Sequence, residues 1–206
     1  MFALVESGSI TKMLNGKRGI TIGGNKYPSA IYTLWTKSER EAIGIYEVEM
    51  NTSKRKDETW YINTDVTYAF GGGKVTGSYG DATARAHADT LWTAQDETDG
   101  KGTEGEVAAE GLKTKLIRTV KQKANNLLSE TDWYVTRKTE KSTAIPSNIT
   151  TWRNGIRSKQ AAMETSITNA SDTPALETLY TYVNTADEGD PVVIERPLGE
   201  FPELGS

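Results

Sequence analysis

The sequence predicts an α+β fold: a small antiparallel β-rich N-terminal module, a helical hairpin module, and an extended C-terminal arm. Three observations predict it. Short apolar runs broken by glycine, serine and asparagine fill the first part of the chain, the pattern of half-buried strands joined by tight turns. Between Leu112 and Ile167 the apolar residues instead recur at helical spacing. After Gly189, Pro191, Pro197 and Pro202 forbid any long helix.

Residues 1–81 form the β-rich module. Phe2 to Val5 and Ile10 to Leu14 flank a turn at Glu6 to Ser9, and Asn15-Gly16 before Gly19 to Ile22 is a strong hairpin signal. Gly23, Gly24, Asn25 and Pro28 interrupt the pattern before a short apolar anchor at Ala30, Ile31, Leu34 and Trp35. Thr36 and Glu39 have capping-box spacing, which predicts a short helix to about Ile43 that stops at Gly44. Ile45 to Met50 returns to strand. Trp60 to Phe70, bent at Asn63 to Asp65, and Val75 to Tyr79 make a further hairpin around Gly71, Gly72 and Gly73.

Residues 82–105 are read as an alanine-rich helix to Gln95 followed by a flexible, acidic, glycine-rich linker over Asp96 to Gly105. The helical hairpin module spans 106–186. Leu112, Leu116, Val120, Ala124 and Leu127 make one stripe, and Ile149, Trp152, Ile156, Met163 and Ile167 the other, with a tryptophan-bearing connector between. Asp172 or Thr173 with Pro174 begins a last short helix through Val183. The arm, 187–206, is made adhesive by Val192, Val193, Ile194 and Phe201. A helical pair of this size cannot stand alone against its conformational entropy. Its stripes are read as carrying more apolar surface than this chain covers, so another polypeptide is expected on them.

Composition narrows the function classes. The formal net charge of −4 offers no general attraction to nucleic acid, and the absence of cysteine removes thiol chemistry, disulfides and thiolate metal sites. No apolar run is long enough for a membrane span, and no export signal follows Met1. Gln95, Glu97, Asp99, Gly100 and Glu106 imitate a calcium loop, but glutamine replaces the leading aspartate. Gly71 to Lys74 lacks the upstream glycine of a phosphate cradle, with Tyr68 in its place. His87 is the single histidine, with no cysteine or second histidine to share a metal. Asp187, Glu188 and Asp190, beside Gly189 and Pro191, have the setting of a turn and not of a catalytic acid–base pair. The basic residues of the first stripe alternate with core positions and have no aromatic platform for nucleic acid. No catalytic, cofactor-binding or metal-binding residue is assigned.

The aromatic residues of the helical half, Trp133, Tyr134, Trp152, Tyr180 and Tyr182, admit two readings: filling of the hairpin core, or a protein interface. The expected interface set is Trp133, Tyr134, Trp152, Arg153, Ile156, Arg157, Tyr180, Val193, Ile194 and Phe201.

Leu128 to Arg137, reading LSETDWYVTR, followed by Glu140, Ile145, Pro146, Trp152, Arg153, Ile156 and Arg157, resembles a signature of bacteriophage tail-fibre assembly and tail-associated proteins. Tyr27, Pro28, Leu34, Trp35, Glu39, Arg40 and the run Ala42 to Tyr46 resemble the N-terminal pattern of the same proteins. The two parts occur in the expected order and cover less than half of the chain. The resemblance implies a non-enzymatic structural or accessory protein, assembled in the host cytoplasm and placed in the virion tail. It further implies a tail fibre, baseplate or other tail protein as partner, and a homo-oligomer or larger assembly. Some such proteins are chaperones that leave and others stay. The acidic linker and the proline-containing arm depart from the pattern, and an adhesive arm fits a retained part better than a dissociable chaperone. A hydrolase or calcium-binding module fits these residues less well.

Overall fold

A computed structural model describes residues 1–205. The fold is α+β, and the chain divides into two compact units, Met1–Thr83 and Ala84–Ser206.

In the first unit β1 (Phe2–Glu6) and β2 (Ser9–Leu14) form the expected hairpin. Ser7 and Gly8 both take positive φ, 51° and 78°, matching the twist of a two-residue turn. The expected Asn15-Gly16 hairpin does not form. Asn15 Oδ1 instead accepts the Lys17 amide at 3.0 Å, and Gly16 lies under Phe2 and Tyr32, where a Cβ would come within 3.2 Å of the Phe2 ring. Packing has turned the chain aside, and the next hairpin is β3 (Ile20–Ile22) with β4 (Asn25–Tyr27). The apolar anchor is α1 (Ile31–Leu34). Thr36 and Glu39 close the predicted capping box of α2 (Lys37–Ala42), which ends before Gly44 at φ +82°.

β5 (Ile45–Asn51) and β6 (Tyr61–Ile62) lead to β7 (Thr67–Gly71) and β8 (Lys74–Ser78), the hairpin predicted around the triple glycine. The sheet order is β2-β1-β5-β8-β7. It is not wholly antiparallel as expected: β5 and β8 run parallel, with Val48 opposite Val75. The excursion over residues 52–66 carries the chain past the place beside β5, so β7 takes the edge and β8 returns between them. The sheet curls until β2 and β7 approach each other. Ala3, Val5 and Val75 are buried on one face with Tyr46, Val48 and Phe70 against them. Leu4, Leu14 and Ile45 pack on the other face with Ile20, Ile31 and Tyr32.

The boundary between the units falls within β9 (Thr83–Ala84). The expected helix over Ala82 to Gln95 is absent, and the expected linker is not open chain. β10 (Thr90–Leu91) pairs with β11 (Val107–Ala109), and α3 (Ala94–Thr98) lies between them behind a Thr93–Asp96 capping box. Lys101 meets Asp96 at 3.0 Å and Asp99 at 3.1 Å, so one carboxylate of the imagined calcium loop, Asp99, is tied to an ammonium together with its neighbour Asp96. The upstream segment instead builds a helix start. Gly111, the N-cap of α4 (Leu112–Ser129), has no side chain to cap with, and Asp89 accepts the Gly111 amide and the Thr114 hydroxyl, both at 2.7 Å. The carbonyls of Ala86 and His87 accept the Leu112 and Lys113 amides, each at 2.9 Å.

α4 packs along α6 (Ser147–Asn169), as the paired stripes predicted. The connector between them contains a helix of its own, α5 (Asp132–Lys141). Asp172 caps α7 (Thr173–Tyr180), again as predicted. The arm is not simply extended. β12 (Val183–Asn184) pairs with β13 (Ile194–Glu195), and Leu198 and Phe201 then return into the unit and are buried.

The expectation that another polypeptide must cover the stripes is overturned. Leu112, Val120 and Ala124 of α4 and Ile149, Trp152, Ile156, Met163 and Ile167 of α6 are buried within the single chain, alongside Leu176 of α7 and the arm anchors. Part of the cover expected from another polypeptide comes from the chain's own arm, through Leu198 and Phe201.

Two outcomes follow from this packing. Ile156, fully buried, should lose about 2–5 kcal/mol of unfolding free energy on change to Ala. Urea denaturation should show a loss independent of protein concentration, because the cavity opens inside one chain. The second outcome concerns acid. Hydrogen bonds from the Thr93 hydroxyl and amide, then from Lys101, pull Asp96 down to about 2 from 3.8, and the Thr114 hydroxyl and Gly111 amide hold Asp89 below the same ordinary value. Folded values below the unfolded one mean that the capping contribution is complete above 3.8 and is lost as pH falls through the folded values. NMR should show the Thr93 amide losing protection on acidification towards about 2 and the Gly111 amide losing it on acidification below 3.8, and Asp89→Asn should remove the response at Gly111.

Candidate protein-binding surfaces

The connector helix is positioned by one buried cation. Arg153, on α6, is 7% exposed and donates from Nη1 to the Leu128 carbonyl and to Thr131 Oγ1, both at 2.7 Å. Its Nη2 donates to Asp132 Oδ1 at 2.8 Å. One side chain therefore holds the last turn of α4, one of the two residues between the helices, and the first residue of α5. Thr131 is buried and Asp132 is largely exposed, so the clamp runs from the interior to the surface.

Beyond the clamp α5 buries none of its residues. Trp133 is 51% exposed and stacks on Tyr134 with ring centroids 3.7 Å apart. Arg137, one helical turn on from both, lies 4.8 Å from the Trp133 ring and 5.1 Å from the Tyr134 ring. Its Nε is buried without a hydrogen-bond partner. Val135 is also exposed, and Ser142 ends the helix in the left-handed conformation at φ 56°. A flat aromatic surface carrying a cation suits a protein partner, since tryptophan, tyrosine and arginine dominate interface hot spots.

The second exposed apolar surface is the β12–β13 hairpin. Tyr182, Val183, Val192, Val193 and Ile194 are all exposed. Asn184 Oδ1 accepts the Ala186 and Val193 amides at 3.2 and 3.1 Å, which shapes the turn. At its base Arg196 lies 5.3 Å from each of the Tyr180 and Tyr182 rings and 2.7 Å from Glu200. Tyr182 donates to Glu200 at 2.5 Å, and that bond raises its phenol pKa, while burial raises that of the half-buried Tyr180.

The expected interface set therefore separates. Trp133, Tyr134, Val193 and Ile194 lie on the two surfaces, Arg157 is exposed on α6, and Tyr180 is half-buried at the hairpin base. Trp152, Arg153, Ile156 and Phe201 are buried in the unit's own core and have no face to offer. Trp152 donates its indole N–H to the Pro202 carbonyl at 2.8 Å, and Lys123 lies over Phe201 at 5.8 Å. Sequence reasoning missed Arg137, although its spacing from Trp133 was a readable signal. Among the described residues no group of three His, Cys, Asp or Glu side chains could hold a metal ion, and no helix is long and apolar enough to cross a membrane.

Arg153→Met should cost about 1–3 kcal/mol, since it takes a charged donor from the Leu128 carbonyl and from the buried Thr131 hydroxyl while solvent screens the freed Asp132. A shifted urea midpoint, with α5 amides losing exchange protection before those of α6, would identify the joint as the part released. Comparison of this chain with family models, with curated proteins and with solved structures returns no match.

Proposed function

We propose that this chain is a non-enzymatic structural or accessory protein of a bacteriophage tail, which attaches to or helps assemble tail fibres or the baseplate. The observation that carries the reading is the exposed Trp133–Tyr134–Arg137 stack, on a helix that contributes nothing to its own unit's core. A large aromatic surface kept in water is unfavourable unless a partner covers it. The sequence resemblance to phage tail proteins supports the context. Its Asp132 and Arg153 are the two charges of the clamp that orients the stack.

Docking combines burial of the ring faces with anion pairing at Arg137, inside a polar rim of Lys138, Glu140 and Lys141. The partner surface is therefore apolar with at least one carboxylate. A dissociable chaperone would use the same contact and let go after assembly.

Pull-down from phage lysate on immobilised full-length chain should retain a tail component. The double change Trp133→Ala, Tyr134→Ala should reduce retention about 10-fold or more while the urea midpoint stays in place. Undiminished retention by that variant would overturn the docking role of α5. Mass spectrometry of purified virions separates a retained part, found at fixed copy number, from a chaperone, which is absent.

A further inference from the structure

The helix α5 and the β12–β13 hairpin are opposites in chemistry. α5 presents aromatic faces and unpaired cations: Arg137 has a buried Nε with no acceptor, and no carboxylate pairs with Lys138 or Lys141 among the described residues. The hairpin presents aliphatic side chains and unpaired anions. Val192, Val193 and Ile194 are exposed, Val192 at 71%, and the carboxylates of Asp187, Glu188 and Asp190 meet no cation among the described residues. The cations of α5 outnumber its one unpaired carboxylate, Glu140, whereas residues 183–195 of the hairpin carry carboxylates and no lysine or arginine. No hydrogen bond, ion pair or ring contact joins them within one chain among the described residues.

We propose that α5 of one copy receives the β12–β13 hairpin of a second copy, so that the chain associates with itself head to tail. The inference takes the docking surface named above and assigns it a partner, and so rests on the docking part of that reading. Charge complementarity selects the second copy as occupant. Aliphatic residues of the hairpin cover the Trp133 and Tyr134 rings, while a carboxylate of the turn reaches the Arg137 guanidinium, where ring stacking has left its donors free for a planar acceptor. The two-residue strands also leave backbone donors and acceptors along their outer edges. The two patches differ, so the contact is heterologous and repeats from copy to copy, closing into a ring or continuing as a fibre. Repetition of this kind suits a protein placed around or along a symmetric assembly.

Sedimentation velocity on the full chain should show mass rising with concentration and falling as salt is raised, because the pairing charges are exposed. Two reversed variants test the pairing. Arg137→Glu with Lys138→Glu, and Asp187→Lys with Asp190→Lys, should each weaken self-association about 10-fold or more. Mixed together, they should form a one-to-one complex, since the first keeps an intact hairpin and the second an intact helix. A symmetric contact of helix on helix, or of hairpin on hairpin, would give no such complementation and overturns the proposal. So does a wild-type chain that stays monomeric at about 100 μM, an ample concentration for an assembly contact. A monomer that still retains a tail component through Trp133 sinks this inference and leaves the proposed function standing. Self-association without any retained component does the reverse.

Discussion

The arrangement of the helical unit depends on the Arg153 guanidinium. Burying a charge is unfavourable by several kcal/mol unless its hydrogen-bonding capacity is met, and here a carbonyl, a hydroxyl and a carboxylate from residues 128–132 meet it. The Leu128 carbonyl, at the end of α4, accepts from the Thr131 amide and hydroxyl at 3.2 and 3.1 Å, and Arg153 adds a charged donor from the opposite helix. Because Asp132 is the first residue of α5, the same cation fixes where the connector helix starts. Trp133 follows immediately, outside the hairpin. The exposed stack is thus a consequence of an interior interaction, and loosening the clamp would let the rings turn inward.

The apolar surface of α4 and α6 is covered by α7 and the returning arm. What makes the arm return is partly polar. The Leu198 amide donates to the Leu179 carbonyl at 3.0 Å, and the Trp152 indole donates to the Pro202 carbonyl. A buried indole N–H needs an acceptor, and a proline carbonyl in extended chain is free to supply one. Gly155 leaves room for the Pro202 ring, where a Cβ would stand 3.2 Å from Pro202 Cγ. Three proline-compatible features in one groove explain why a segment that cannot be helical still packs on helices.

What was legible in the sequence was local chemistry. Thr36 with Glu39, Asp172 with Pro174, Gly72-Gly73 and the two apolar stripes each carry their signal within a few residues, and each appears where its spacing placed it. Illegible features depend on partners distant in sequence. Asn15-Gly16 is a good hairpin turn until Phe2 and Tyr32 pack over it. Ala82 to Gln95 has helical composition, yet its carbonyls and Asp89 are drawn to the bare N-terminus of α4. The parallel pairing of β5 with β8 follows from where a fifteen-residue excursion lands, which no window of residues encodes. Part of the expected interface set is buried for the same reason. Trp152 and Phe201 have the composition of a hot spot and the environment of a core.

Trp133 and Trp152 make the point sharpest, because the same side chain meets opposite fates within one unit. Trp152 is 7% exposed and its N–H has an acceptor; Trp133 is 51% exposed and lies on a helix with no buried residue. Shortage of core space does not separate them, since α5 could have laid its apolar residues on the hairpin had the joint allowed it. The separation is geometric. Arg153 holds the first turn of α5 so that residues 133, 134 and 137 share one outward patch, and stacking among them covers part of each ring before any partner arrives. Preorganised rings lose little rotamer freedom on binding, which lowers the entropic penalty of association. A surface that is both unfavourable in water and already ordered is the kind on which the proposed docking costs least.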